Sequence, residues 1–99
     1  MDIKKTQENG VSTIAVSGRL DTVTAPALDA ELHDIDAAVL SLVLDFQALE
    51  YISSAGLRIL LLTHKSMQKR GGSLTLKNVS TDIMEVLDMT GFSEILHFT

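Results

Sequence analysis

Two adjacent hydroxyls, Ser53 and Ser54, lie where an apolar run ending at Phe46 passes through a short loop into a second apolar run that begins with Ala55, Gly56 and Leu57. That is the pattern of a chain turning from a strand into a helix, and either serine can cap such a helix by accepting a bond from an unpaired first-turn N–H. A serine so placed can also act as a nucleophile or accept a phosphoryl group. Nucleophilic use at a strand-to-helix elbow calls for Gly-x-Ser-x-Gly, but Ile52 stands two places before Ser54, so the crowding that the first glycine relieves would persist. A base must also come within hydrogen-bond reach, and nothing in the sequence places His97, the one histidine of the last third, beside Ser54.

Other chemistries fare no better. Gly71-Gly72 follows a helical stretch and precedes none, and no Gly-x-x-x-x-Gly-Lys-Ser/Thr phosphate loop occurs. Asp21, Asp45 and Glu50 could form an acid/base pair, although carboxylates at strand ends more often solvate or cap. His33, His64 and His97 have no ligand spacing and there is no cysteine, so neither a metal site nor a thiol site is proposed. No cofactor is expected. The expectation is a binding protein and not an enzyme.

At 99 residues the chain suffices for one domain, residues 1–99, with a single core. Its net charge of -5 and a longest basic cluster of Lys69-Arg70 argue against nucleic acid as a partner, because phosphate neutralisation needs a concentrated basic face. Met1-Asp2-Ile3-Lys4-Lys5-Thr6 lacks the apolar core of a signal peptide. No apolar run reaches the roughly 20 residues that span a bilayer. A soluble, cytoplasmic protein with no membrane partner is expected.

The elements that must hold the serines follow from periodicity. Asn9-Gly10 favours a tight hairpin between strands over Ile3 to Glu8 and Val11 to Ser17. Thr24-Ala25-Pro26 opens a helix whose inner stripe is Leu28, Leu32 and Ile35. Leu40 to Phe46, nearly all apolar, reads as a central strand covered on both faces. Ser54 to Arg70 reads as a second helix, with Leu57, Leu60, Leu61 and His64 inward and Lys65, Lys69 and Arg70 near its end. Ser73 to Val79 alternates as a strand, Ser80-Thr81-Asp82 starts a third helix that Gly91 ends, and Glu94 to Phe98 forms a last strand. Alternating helices and strands imply a mostly parallel sheet with right-handed crossovers. Its strand-to-helix loops would gather along one edge, bringing Asp21-Thr22, Ser53-Ser54 and Asn78-Ser80 near one another.

Four landmarks in this order carry a resemblance: Ser17-Gly18-Arg19-Leu20-Asp21, Leu49-Glu50-Tyr51-Ile52-Ser53-Ser54-Ala55-Gly56-Leu57, Gly71-Gly72 and Leu87-Asp88-Met89-Thr90-Gly91-Phe92. The chain resembles a stand-alone STAS domain of the anti-sigma-factor antagonist type over essentially its whole length. The first landmark is like that family's Gly-x-Leu-Asp and the second like its Asp-Ser-Ser-Gly-Leu signature. The fold so implied is α/β, a single STAS-like domain with a mixed, mostly parallel sheet, an N-terminal β-hairpin and three main helices.

The resemblance also implies roles. The family's phosphorylated serine, two residues before the signature glycine Gly56, falls on Ser54, and Asp21 matches an acidic residue close to it. Ser53 replaces the family's preceding acidic residue and Ala55 its following serine. Thr22, Ser53, Ala55, Gly56 and Arg58 would surround the phosphosite and meet the partner. That partner is expected to be an anti-sigma factor with serine kinase activity, with a PP2C-type phosphatase to reset the serine. Unphosphorylated, the domain would bind the anti-sigma factor and free a sigma factor. Phosphorylated, it would let go. The alternatives are a STAS sensory or scaffold module in a larger signalling assembly, or a small-ligand-binding STAS domain.

Overall fold

Asn9 and Gly10 adopt left-handed backbone, with φ of 51° and 79°. They turn β1 (Asp2–Glu8) back onto β2 (Val11–Leu20) as an antiparallel hairpin. The computed structural model describes residues 1–99 and continues through α1 (Ala25–His33), β3 (Ser41–Asp45), β4 (Leu49–Ile52), α2 (Ser54–Lys69), β5 (Ser73–Lys77), α3 (Thr81–Thr90), a 3-10 turn (Phe92–Glu94) and β6 (His97–Phe98).

The main sheet has the order β1-β2-β3-β5-β6, and every pair after the hairpin is parallel. Each crossover moves the chain in the same direction across the sheet, so right-handed crossovers carry all three helices to one face. On that face Ile14, Val16, Leu42, Leu44, Leu74 and Leu76 form one core with Leu28, Leu60, Ile83 and Leu87 of the helices. Thr13, Ala15, Val43 and Thr75, on the opposite face, are only half-buried. The expected two-sided burial of the central strand is therefore wrong. Val43 keeps β3 apolar on its open face and hides the period of two.

Strand β4 was not legible as a strand. Its sequence, Leu-Glu-Tyr-Ile, buries only the two outer residues and does not alternate. It exists because β2 is longer than the hairpin requires. Up to Ala15, β2 pairs with β3; a bulge follows at Gly18-Arg19, with Gly18 at φ 86°, and Gly18 to Leu20 pair with β4.

Further boundaries differ, among them β5, which stops at Lys77 short of the expected Val79 because Asn78 takes left-handed backbone at φ 58°. Helix α1 ends at His33, short of the expected stripe residue Ile35, because Asp36 accepts the N–H of Ala38 at 2.8 Å and favours a turn. Leu32 and Ile35 still pack against the core. The last strand begins at His97 and not Glu94. Gly91, at φ 80°, leads into a 3-10 turn in which Glu94 N–H reaches Gly91 O at 3.2 Å and Ile95 N–H reaches Phe92 O at 3.1 Å.

Candidate functional site

The upper end of β2 is locked by a cluster of short bonds. One oxygen of the Asp21 carboxylate accepts the N–H groups of Val23 and Thr24, each at 3.0 Å. The Thr24 hydroxyl accepts from Asp21 N–H at 2.9 Å and lies 2.7 Å from the Arg19 carbonyl, to which it donates. Asp and Thr favour such turns because their short side chains reach their own backbone. The Thr24 N–H holds the Asp21 carboxyl below the usual range; the Thr24 hydroxyl, the Val23 N–H and Arg19 add to this, against desolvation. Thr22 and Val23 are left at the loop tip, with Val23 87% exposed.

The passage from β4 into α2 uses one residue. Ser53 N–H donates to Leu20 O at 2.9 Å, which places this turn directly beside the Asp21 loop. Ser53 holds the N-cap position with extended backbone, and its carbonyl accepts Leu57 N–H at 3.0 Å. Its hydroxyl does not cap. It points inward and is buried without a partner. Either serine was expected to cap α2, and neither does so with its side chain.

Ser54 is the first residue of the helix and is exposed, as is Arg58 one turn on. Ala55 is half-buried and Gly56 is buried. A Cβ on Gly56 would lie 2.8 Å from Ile52 Cγ1 and 2.8 Å from Leu20 Cγ. The first turn of α2 therefore rests on β2 and β4 as closely as backbone allows, and that contact turns Ser54 outward.

Of the three loops expected along one edge, two meet through the Leu20–Ser53 bond. The third, Asn78-Ser80, is tied to the end of β3: the Asn78 amide donates to Asp45 at 3.0 Å, and Ser80 caps α3 by accepting Ile83 N–H at 3.2 Å. Burial pushes the Asp45 carboxyl up, but the Asn78 amide, the Gln47 N–H and Lys77 together hold it below its ordinary value. Asp21 and Asp45 are thus occupied as turn acceptors. The histidines are engaged away from Ser54. His33 faces Asp29 at 3.4 Å, and buried His64, ten residues or about 15 Å down α2 from Ser54, stands 6.0 Å ring to ring from His97. The sequence, in which these two are far apart, does not show that pairing. No group of three or more His, Asp or Glu side chains stands where it could hold a metal ion, and no helix is long and apolar enough to cross a membrane.

One feature of the site could not be read without β4. Arg19 and Tyr51 are partners in register, and the guanidinium carbon lies 4.1 Å over the Tyr51 ring while Nε lies 3.8 Å from Asp21.

The STAS domain family matches residues 2–99. The chain belongs to the STAS-domain family. This STAS domain is 35% identical over 88 residues to the Bordetella bronchiseptica protein BtrV, an alignment covering 88% of this chain and 76% of that relative. It is 30% identical over 96 residues to the anti-sigma-B factor antagonist of Bacillus subtilis, covering 97% of this chain and 86% of that one. The crystal structure of an anti-sigma factor antagonist from Mycobacterium paratuberculosis superposes with a TM-score of 0.87 at 30% identity, covering 98% and 83% of the two chains. Against that background, the STAS domain offers an outward hydroxyl on the first residue of a helix, beside a fixed carboxylate and an exposed loop tip.

Proposed function

We propose that this STAS domain, residues 1–99 acting as one unit in the cytoplasm, is an anti-sigma-factor antagonist whose grip on its partner is released by phosphorylation of Ser54. The observation that carries the reading is the exposure of Ser54 at the head of α2, beside Asp21, while Ser53 keeps its oxygen buried. A kinase can reach the one hydroxyl and not the other. The relatives named anti-sigma factor antagonists support an anti-sigma factor as the partner. In this proposal that partner is also the serine kinase, and a PP2C-type phosphatase reverses the modification.

The switch follows from charge. A phosphoserine brings about -1.5 to -2 charges, which suit a helix N-terminus. The first turn of α2 has neither an acidic residue nor a side-chain cap, so its free N–H groups can receive the phosphate and the domain stays folded. The effect is then felt at the docking surface, where Asp21 already contributes a negative charge. An acidic group of the partner about 4 Å from the phosphate would cost roughly 1 kcal/mol per unit repulsion in water and about 4 kcal/mol at an effective dielectric of 20. Since about 1.4 kcal/mol is tenfold in affinity, one phosphate suffices to convert capture into release. Thr22, Ala55 and Arg58 border the phosphosite and contact the partner.

The test is incubation with the purified anti-sigma factor and ATP, followed by mass spectrometry and a binding assay. Ser54→Ala binds and cannot be switched off, whereas Ser54→Asp binds poorly. Phosphate on Thr22 or Ser53 instead would overturn the assignment.

A further inference from the structure

Charge is segregated along this chain in a way its net value conceals. No acidic residue occurs between Glu50 and Asp82, yet five of the eight Lys and Arg fall there: Arg58, Lys65, Lys69, Arg70 and Lys77. That stretch carries +5 and the remainder -10, giving the overall -5. Elsewhere Lys5 and Arg19 are paired with carboxylates, while Arg58, Lys65 and Lys69 have no acidic partner within ion-pair distance.

The unpaired cations share one face. At 3.6 residues per turn, Ser54, Arg58, Leu62, Lys65 and Lys69 fall within an arc of about 80° and extend for about 22 Å along α2. All five are exposed, Leu62 at 51%. Leu62 also lines a cleft of about 360 Å³ between α1 and α2, whose walls are half apolar, with Leu32, Ile35, Leu42 and Met67, and half polar, with Asp29, His33 and Arg70 among them. Ordinary amphipathic design would put a polar residue at such a position. The stripe is thus a row of free cations interrupted by one apolar side chain at the lip of a half-apolar cleft, with the candidate phosphosite at its head.

We infer that this outer stripe of α2 is the docking face for the anti-sigma factor, and that the surface it fits is acidic, with an apolar side chain that covers Leu62 and enters the α1–α2 cleft. The inference rests on the proposed function and extends it: the charge that repels phosphorylated Ser54 in the complex belongs to the partner. The same acidic surface that the stripe attracts when Ser54 is free meets a dianion at the stripe's head when it is modified. Attraction and release then use one electrostatic surface with opposite signs.

The test measures binding of the intact chain to its purified anti-sigma factor by calorimetry. Variants are Leu62→Glu and Lys65→Glu, with Met89→Glu, 87% exposed on α3, as the control. Thermal unfolding of each shows that it is folded. Leu62→Glu and Lys65→Glu should each weaken binding about tenfold or more while Met89→Glu stays within about twofold, and wild-type affinity should fall as salt rises. Wild-type affinity in both stripe variants, or an equal loss in Met89→Glu, overturns the docking face. A Ser54→Asp protein that binds as well as wild type would overturn the phosphorylation reading and leave the docking face standing.

Discussion

Gly56→Ala isolates the contact that orients the candidate phosphosite. Two effects oppose each other. Alanine in place of glycine inside a helix is worth about 1 kcal/mol in its favour. Against that, the new Cβ would sit 2.8 Å from both Ile52 Cγ1 and Leu20 Cγ, where carbon atoms prefer about 3.5–4.0 Å. Leu20 is fully buried and Ile52 nearly so, so neither has open space to retreat into. Overpacking of a filled core costs about 1–3 kcal/mol, and two simultaneous close contacts place this case toward the upper end. The net loss should be about 1–2 kcal/mol, a drop in Tm of about 5–15 °C for a domain of this size. Urea and thermal unfolding followed by far-UV circular dichroism measure it. In a Leu20→Ala background one of the two clashes is removed, and the cost of Gly56→Ala should shrink by about 0.5 kcal/mol or more. If Gly56→Ala is as stable as wild type or more so, then α2 is not pressed against β2 and β4, and the explanation of why Ser54 faces outward fails.

The serines at the N-cap positions of α2 and α3 should behave oppositely. Ser80→Ala removes a bond to Ile83 N–H and should cost about 1 kcal/mol, whereas Ser53→Ala removes a buried hydroxyl with no partner and should leave stability unchanged or raised; a larger loss for Ser53→Ala than for Ser80→Ala in urea unfolding would contradict this. Because the folded Asp21 carboxyl titrates below its ordinary value, its contribution to stability is present above about pH 3.9, the unfolded value, and is lost as pH falls through the lower folded one. Carboxyl-carbon NMR should show the Asp21 titration moving up in Thr24→Val, which keeps the backbone N–H and removes only the hydroxyl, and an unmoved midpoint would deny the Thr24 hydroxyl its part in holding the carboxylate.

Several local signals, in which a residue's chemistry acts on its own backbone, were reliable, although neither serine at the start of α2 caps it with its side chain. Asn9-Gly10 made the hairpin, Ser80 capped α3 and Gly91 ended it with a left-handed residue, because turn and cap preferences are short-range properties. The order of elements likewise implied parallel strands, and the signature around Ser54 and Gly56 pointed to the STAS family. The features that matter most to the site were missed because they depended on pairing between distant segments. Strand β4 has no alternation of its own and forms because the bulge at Gly18 offers β2 a second neighbour. Without β4, the stacking of Arg19 on Tyr51 could not be anticipated; the meeting of His64 with His97 depended likewise on the pairing of β6 with β5.

The sequence by itself determined which residues could turn, cap or carry charge, and that no acidic residue interrupts the stretch from Tyr51 to Thr81. Only the tertiary structure decided which of two neighbouring serines faces outward. Both can occupy a helix start, and backbone preference does not separate them. The choice is made by Gly56 seating α2 on Leu20 and Ile52, which turns the Ser53 oxygen into the protein and leaves Ser54 outside.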